Sequence, residues 1–178
     1  MKKYLWTLFA LILLAGTSCQ EKIDIEKEKE AIKAVIEKEK NAFFDRDITK
    51  IGATWVQDST SRKTYLTQAG LIYLNGWSEV KQHDKESVES DEWEEREDIM
   101  AHFSDYEFNI YNNTALVFCN TKWTGKYKGE EISGEQKRIL HFVKVDGVWK
   151  YDLMAMYSIP AEEEIEEGEG EPETEETE

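Results

Sequence analysis

From residue 25 the chain repeats apolar positions at helical spacing. IEKEKEAIKAVIEKEKNAFF brings Ile25, Ile32, Val35, Ile36, Ala42 and Phe43 near one face, with Glu and Lys filling most other positions. Opposite charges three or four apart support each other in water, so this charge run is a solvated face, not a binding patch. The pattern predicts a one-sided amphipathic helix ending near Asp45. Asp47 is suited to cap a second, short helix that places Ile51 and Trp55 one turn apart. Short strands are predicted over 59–66 and 71–74, around Gln68-Ala69-Gly70. Residues 78–102 favour helix but are only weakly apolar, with Val80, Val88, Trp93, Ile99 and Met100 as anchors. A broken helix or helix–loop–helix is expected there.

The period then shortens to two. Strands are predicted over 106–111, 115–126, 130–145 and 148–157, joined through Asn112-Asn113, a Gly129 turn and Asp146-Gly147. Asn-Asn and Asp-Gly suit hairpins, so these strands form an antiparallel meander, ended by Pro160. Helices first and a strongly bent sheet last define an α+β domain. On the last strand, strict alternation places Trp149, Tyr151, Leu153, Ala155 and Tyr157 on one face. Val148, Met154 and Met156 share the other with Lys150 and Asp152. A sheet apolar on both sides needs covering twice, and the helices are too few, so a homodimer through the outer face is expected.

Composition changes the picture at both ends. The 178 residues carry a net charge of -16, but eleven glutamates crowd into 161–178 and Lys2 and Lys3 sit at the start, leaving -7 for residues 19–160. With no basic stripe to neutralise phosphates, no nucleic-acid partner is expected. The tail 161–178 has almost nothing apolar to bury and should be disordered. Residues 1–18 pair a Lys2-Lys3 start with a twelve-residue apolar run over 4–15, too short to span a bilayer as a helix. Ala15-Gly16-Thr17-Ser18 before Cys19 resembles the lipobox of bacterial lipoproteins, although Gly16 stands where leucine is usual. That resemblance implies a signal peptide over 1–18, a lipidated Cys19, and a tether over 19–24. It also implies a cell-envelope location, with membrane contact through the anchor alone. Gln20 is not an aspartate of the kind that retains many lipoproteins at the inner membrane, which favours the outer membrane. Cys119 then has no disulfide partner and is expected to be a small buried hydrophobe.

Three histidines offer candidate chemistry. Glu79, His83 and Glu86 could share a helical face, and Asp98 and His102 repeat a four-residue spacing; no HExxH pattern accompanies either set. These are read as solvated faces, and no metal or cofactor is expected. His141 lies on an apolar strand stripe with Ile139, Val143 and Val145, which makes it either a satisfied core or interface residue or an acid–base group. Arg138, on the opposite face of that strand, is read as one half of a sheet-surface salt bridge. Phosphate-binding loops, Cys/His zinc spacings and GxSxG are absent.

The order of elements resembles the nuclear transport factor 2-like superfamily, and most closely its SnoaL-like group. The resemblance covers about residues 25–159. It rests on EAIKAVIEKEKNAFFDRD, TWVQD, the Gly76-Trp77 turn and KVDGVWKYDLMAMYSI, with DG-x-W the most specific part. It implies a cone over residues 25–160: N-terminal helices packed on a curved antiparallel sheet that encloses a pocket. Members include polyketide cyclases, ketosteroid isomerases, scytalone dehydratases and non-enzymatic binding or dimerisation domains. No Tyr/Asp or His/Asp set here matches a catalytic pattern closely enough to carry over. A cone lined by Trp55, Tyr65, Trp77, Trp123, His141 and Tyr151 would suit a flat or apolar ligand. The expectation is an exported, lipid-anchored domain that binds a small molecule or acts as an accessory module. The alternatives are a cyclase-, isomerase- or dehydratase-like enzyme using His141 or a buried carboxylate, and a purely structural dimer module.

Overall fold

Asp24 caps the first helix, α1 (Ile25–Phe44), where its carboxylate accepts from the Lys27 amide at 3.2 Å. Asp47 does the same for α2 (Ile48–Ala53), accepting from the amides of Thr49 and Lys50 at 3.1 and 3.0 Å. Each cap satisfies amides that the helix leaves unpaired, and contributes about 1 kcal/mol. Ile32, Ile36 and Ala42 bury the predicted face of α1. In the computed structural model, residues 23–67 and 69–159 are described; the expected signal peptide over 1–18, Cys19 and the acidic tail fall outside them.

Two short strands, β1 (Arg62–Thr67) and β2 (Gly70–Asn75), precede α3 (Trp77–Val88) and the single turn α4 (Asp91–Glu94). The long strands β3 (Arg96–Ile110), β4 (Thr114–Tyr127), β5 (Glu130–Val145) and β6 (Val148–Ile159) complete a six-stranded sheet of order β2-β1-β6-β5-β4-β3. All neighbours are antiparallel except β1 and β6, which run parallel. Asp146 and Gly147 both take positive φ, 51° and 79°, the backbone that lets a two-residue turn follow the twist of its strands.

Bulges curve the sheet into the cone. β3 begins at Arg96, so the helix expected to run on to residue 102 gives way to strand. The reason is phase: register shifts fall between Glu97 and Met100 and again between Ser104 and Glu107, with Asp98 and Asp105 both at φ 53°. Ile99, Ala101 and Phe103 face inward before the second shift, and Tyr106, Phe108 and Ile110 after it. A strand that changes phase twice shows no single period of two.

The same effect corrects which residues of β6 share a face. A register shift opposite His141 and Phe142 lies between Tyr151 and Leu153. Beyond it Met154 and Met156 join Trp149 and Tyr151 inside, while Leu153, Ala155 and Tyr157 turn away from the core. The inner face is thus covered by the helices, and the outer face exposes Phe118, Ile139 and Tyr157.

The β5–β6 hairpin is pinned to the start of α1. Glu28 accepts from Lys144 Nζ at 2.7 Å and from the Trp149 indole N–H at 2.6 Å, while Lys144 lies 4.7 Å over the Trp149 ring. The hydrogen bond from Lys144 holds the Glu28 carboxyl below its ordinary value; partial burial opposes it and the bond from Trp149 reinforces it. A depressed carboxyl stabilises the fold above its unfolded value near 4.5 and loses that contribution as pH falls through the folded value. Glu28→Gln should therefore cost about 1–3 kcal/mol at pH 7 in urea unfolding. The wild-type advantage should shrink steadily below pH 4.5.

Candidate functional site

Between α1, α4 and the inner face of the sheet lies a cavity of about 240 Å³. Its walls are largely aromatic. α1 supplies Phe43 and Phe44, α4 Trp93, β1 Tyr65, β3 Phe103 and β4 Trp123, over Met154 and Met156 from β6. Trp93 meets Phe43 edge-on at 5.1 Å and stacks on Phe44 at 6.2 Å. Trp123 lies flat across β5 because residue 134 is glycine; a Cβ there would sit 2.6 Å from the indole. Partly exposed Phe44, Trp93 and Arg96 stand at the mouth, and Arg96 and Trp123 also border a second, wider depression.

Polar groups interrupt this apolar wall. Glu39, 5% exposed, occupies the buried stripe of α1 that holds Ile32 and Ile36. Burial raises its carboxyl above the ordinary range, more than the nearby Lys63 and Arg138 charges lower it. Its carboxyl has no ion-pair partner among the described residues. Arg138 lies 5.0 Å over the Phe103 ring and donates from one terminal nitrogen to Gln136 Oε1 at 2.8 Å. Its Nε is buried without a partner, as are Arg96 Nε and Thr121 Oγ1. Native interiors leave few such groups unpaired, so three around one cavity mark a place built for something polar.

Beside the cavity, Lys63 from β1 meets Asp84 from α3 at 2.6 Å, with side chains 2% and 0% exposed. The Lys63 ammonium sits 5.7 Å over Trp55 and 5.6 Å over Tyr65. Burial alone would favour the neutral amine, but the Asp84 charge leads a set of interactions that outweighs it and raises the lysine. Burial likewise opposes ionisation of Asp84, and Lys63 and His83 overcome it, so the aspartate is lowered. His83 stacks on Tyr65 at 5.1 Å and places Nδ1 3.7 Å from Asp84 Oδ1. Burial also pushes the Tyr65 phenol up. The pair is fully charged at neutral pH and supports Tyr65, which lines the cavity.

Of the six expected lining residues, Tyr65 and Trp123 reach the cavity. Trp77, Trp55, Tyr151 and Phe142 instead stack in a column, with successive ring centroids 6.3, 5.3 and 4.4 Å apart. Trp55 is fixed there by pairing of its segment with β6: Val56 N–H donates to Tyr151 O at 2.8 Å and Tyr151 N–H to Thr54 O at 2.9 Å. His141 faces away. Leu140 and Phe142 take the inward positions on β5, leaving His141 on the outer face, where Nδ1 meets Asp152 Oδ1 at 2.6 Å. It is therefore not a pocket group.

Arg138 corrects the expectation of a surface ion pair: it faces the cavity and has no carboxylate partner among the described residues. Glu79, His83 and Glu86 are engaged separately, Glu79 accepting from the Asn75 amide and Glu86 from the Gln82 amide group. Asp98 and His102 lie on β3, so a helical spacing does not apply to them. Cys119 is buried, as expected, and burial pushes its thiol up to about 11. Cys19 lies outside the described residues.

Sequence reasoning missed Glu39, Lys63, Asp84 and Thr121 as site residues, yet a signal was present. Glu39 continues the 32–36 apolar stripe, Asp84 sits midway between Val80 and Val88, and Lys63 alternates between Ser61 and Tyr65. An ionisable group on the buried face of its element is the signature of a site or a buried ion pair.

No protein-family model matches the sequence, and no curated protein matches it. Solved structures match the fold well. A putative scytalone dehydratase from Novosphingobium aromaticivorans superposes with a TM-score of 0.61 at 17% identity, over 75% of this chain and 85% of that one. A putative dehydratase of the nuclear transport factor 2-like family from Streptomyces avermitilis gives 0.63 at 15% identity, over 76% and 99%. A hexachlorocyclohexane dehydrochlorinase gives 0.60 at 11% identity, over 77% and 88%. The helices and curved sheet are those of the nuclear transport factor 2-like cone.

The buried pair makes a sharp prediction. Lys63→Met should cost about 3–5 kcal/mol in denaturant unfolding, because it strands the Asp84 charge. Adding Asp84→Leu should recover most of that loss, so a double-mutant cycle should show strong coupling.

Proposed function

We propose that this chain is an exported, lipid-anchored domain of the SnoaL-like type that binds a small, flat, apolar or aromatic molecule in the cavity behind Trp93 and Trp123. One observation carries this. An aromatic-walled space holds two buried polar atoms without partners, Thr121 Oγ1 and Arg138 Nε, which a bound molecule would satisfy. Binding should quench or shift tryptophan emission, and Trp123→Ala should weaken any hit at least tenfold. A hit from a thermal-shift screen whose affinity ignores that substitution would place the site elsewhere.

A second reading, an acid–base enzyme, is favoured by Glu39. A carboxyl whose hold on its proton is strengthened by burial, beside a guanidinium, is suited to give and take a proton. The dehydratase and dehydrochlorinase named above share the fold, which alone does not transfer their reactions. The two readings separate on one variant: Glu39→Gln leaves a binding protein's complex intact but stops turnover of a ligand that the wild type converts.

The anchor rests on the Lys2-Lys3 start, the apolar run and the small residues before Cys19. Expressed in a bacterium fed labelled palmitate, the protein should incorporate label, and Cys19→Ala should abolish it. Label persisting in that variant would rule out Cys19 as the anchor.

A further inference from the structure

We propose, building on the binding function above, that the molecule the cavity accepts is an aromatic carboxylate, its carboxylate held by Arg138 and Thr121 and drawn in past Arg96. The charge pattern of the wall carries the inference. Five lining residues bear a carboxyl, ammonium or guanidinium group: Glu39, Lys40, Lys63, Arg96 and Arg138. Lys40 is paired with Glu37, and Lys63 with Asp84. Arg96 and Arg138 have no carboxylate partner in the described residues, and the one lining carboxyl, Glu39, is buried. Two guanidinium groups without an ion-pair partner among the described residues thus face the apolar cavity. Both arginines are part-buried and each keeps an Nε shielded from water without a partner, a cost that an anionic ligand would offset.

Geometry narrows the anion. Arg138 is held by stacking on Phe103 and by Gln136, so its fork is preorganised. Planar guanidinium groups match carboxylates through two parallel hydrogen bonds. Thr121 Oγ1, 1% exposed and unpartnered, adds one further donor on the adjacent strand. That set suits two carboxylate oxygens. The surrounding rings of Trp93, Trp123, Phe43 and Phe103 then sandwich a flat body. A volume of about 240 Å³ equals about eight waters at roughly 30 Å³ each, room for one or two fused rings.

The test titrates the purified full chain with 2-naphthoate and with neutral 2-naphthamide, followed by calorimetry and tryptophan fluorescence. Naphthoate should bind at least tenfold tighter than the amide. Arg138→Gln should erase that preference while leaving the amide within twofold. Thr121→Val, which keeps the side-chain shape, should weaken naphthoate several-fold and keeps the question answerable if Arg138→Gln does not fold. Amide binding that depends on Trp123 without any carboxylate preference would overturn this proposal alone and leave the binding function standing. Failure of both probes to bind would overturn the proposal and count against the binding function too.

Discussion

A lysine and an aspartate withdrawn together from water organise the centre of this protein. Lys63 and Asp84 come from a strand and a helix separated by a hairpin, and neither tolerates burial without the other. Their contact seats α3 against β1. It also brings the ammonium between the Trp55 and Tyr65 rings, so the aromatic column of the core and the tyrosine of the cavity wall meet at one charge. Replacing the pair by hydrocarbon would give an equally filled interior. What the pair adds is a fixed relation between the helix layer and the sheet at the edge of the cavity.

The order of elements was legible in the sequence because hydrophobic period and turn chemistry agree over most of the chain. The α1 stripe, the Asp47 cap and the Asp146-Gly147 hairpin appear where the pattern put them. What escaped was phase. Asp98, Asp105 and the shift before Leu153 each move one strand's inward set by one residue, so regular alternation misjudges β3 and reverses the second half of β6. His141 shows the same lesson from the other side. Its stripe of Ile139 and Val143 is apolar, but Leu140 and Phe142 are more deeply buried, and the core went with them. The site was less legible because aromatic residues announce themselves while Glu39, Lys63 and Asp84 look like ordinary surface charges until their neighbours at i±4 or i±2 are counted.

The cavity and the core also divide the aromatic residues between two tasks. Trp55, Trp77, Tyr151 and Phe142 stack on one another and are structural, whereas Trp93 and Trp123 present faces to open space. The DG-x-W turn itself belongs to the first task, although its strands also supply Arg138, Met154 and Met156 to the cavity. Trp149 spends its indole N–H on Glu28 and clamps helix to sheet, so the most recognisable motif of the chain specifies architecture and leaves the chemistry to less conspicuous residues.

Gly134 gives one position outside the cavity wall authority over its width. The indole of Trp123 rests where a side chain at 134 would stand, so even a single methyl group there would tip the ring off the strand. The bore of the cavity is thus set by an absent atom two residues from Gln136. A chain of this design can be regauged for wider or narrower guests without disturbing Arg138, Thr121 or Glu39. Capacity and chemical selectivity are therefore separable dials, one turned on the back of an aromatic ring and the other on the polar groups beneath it.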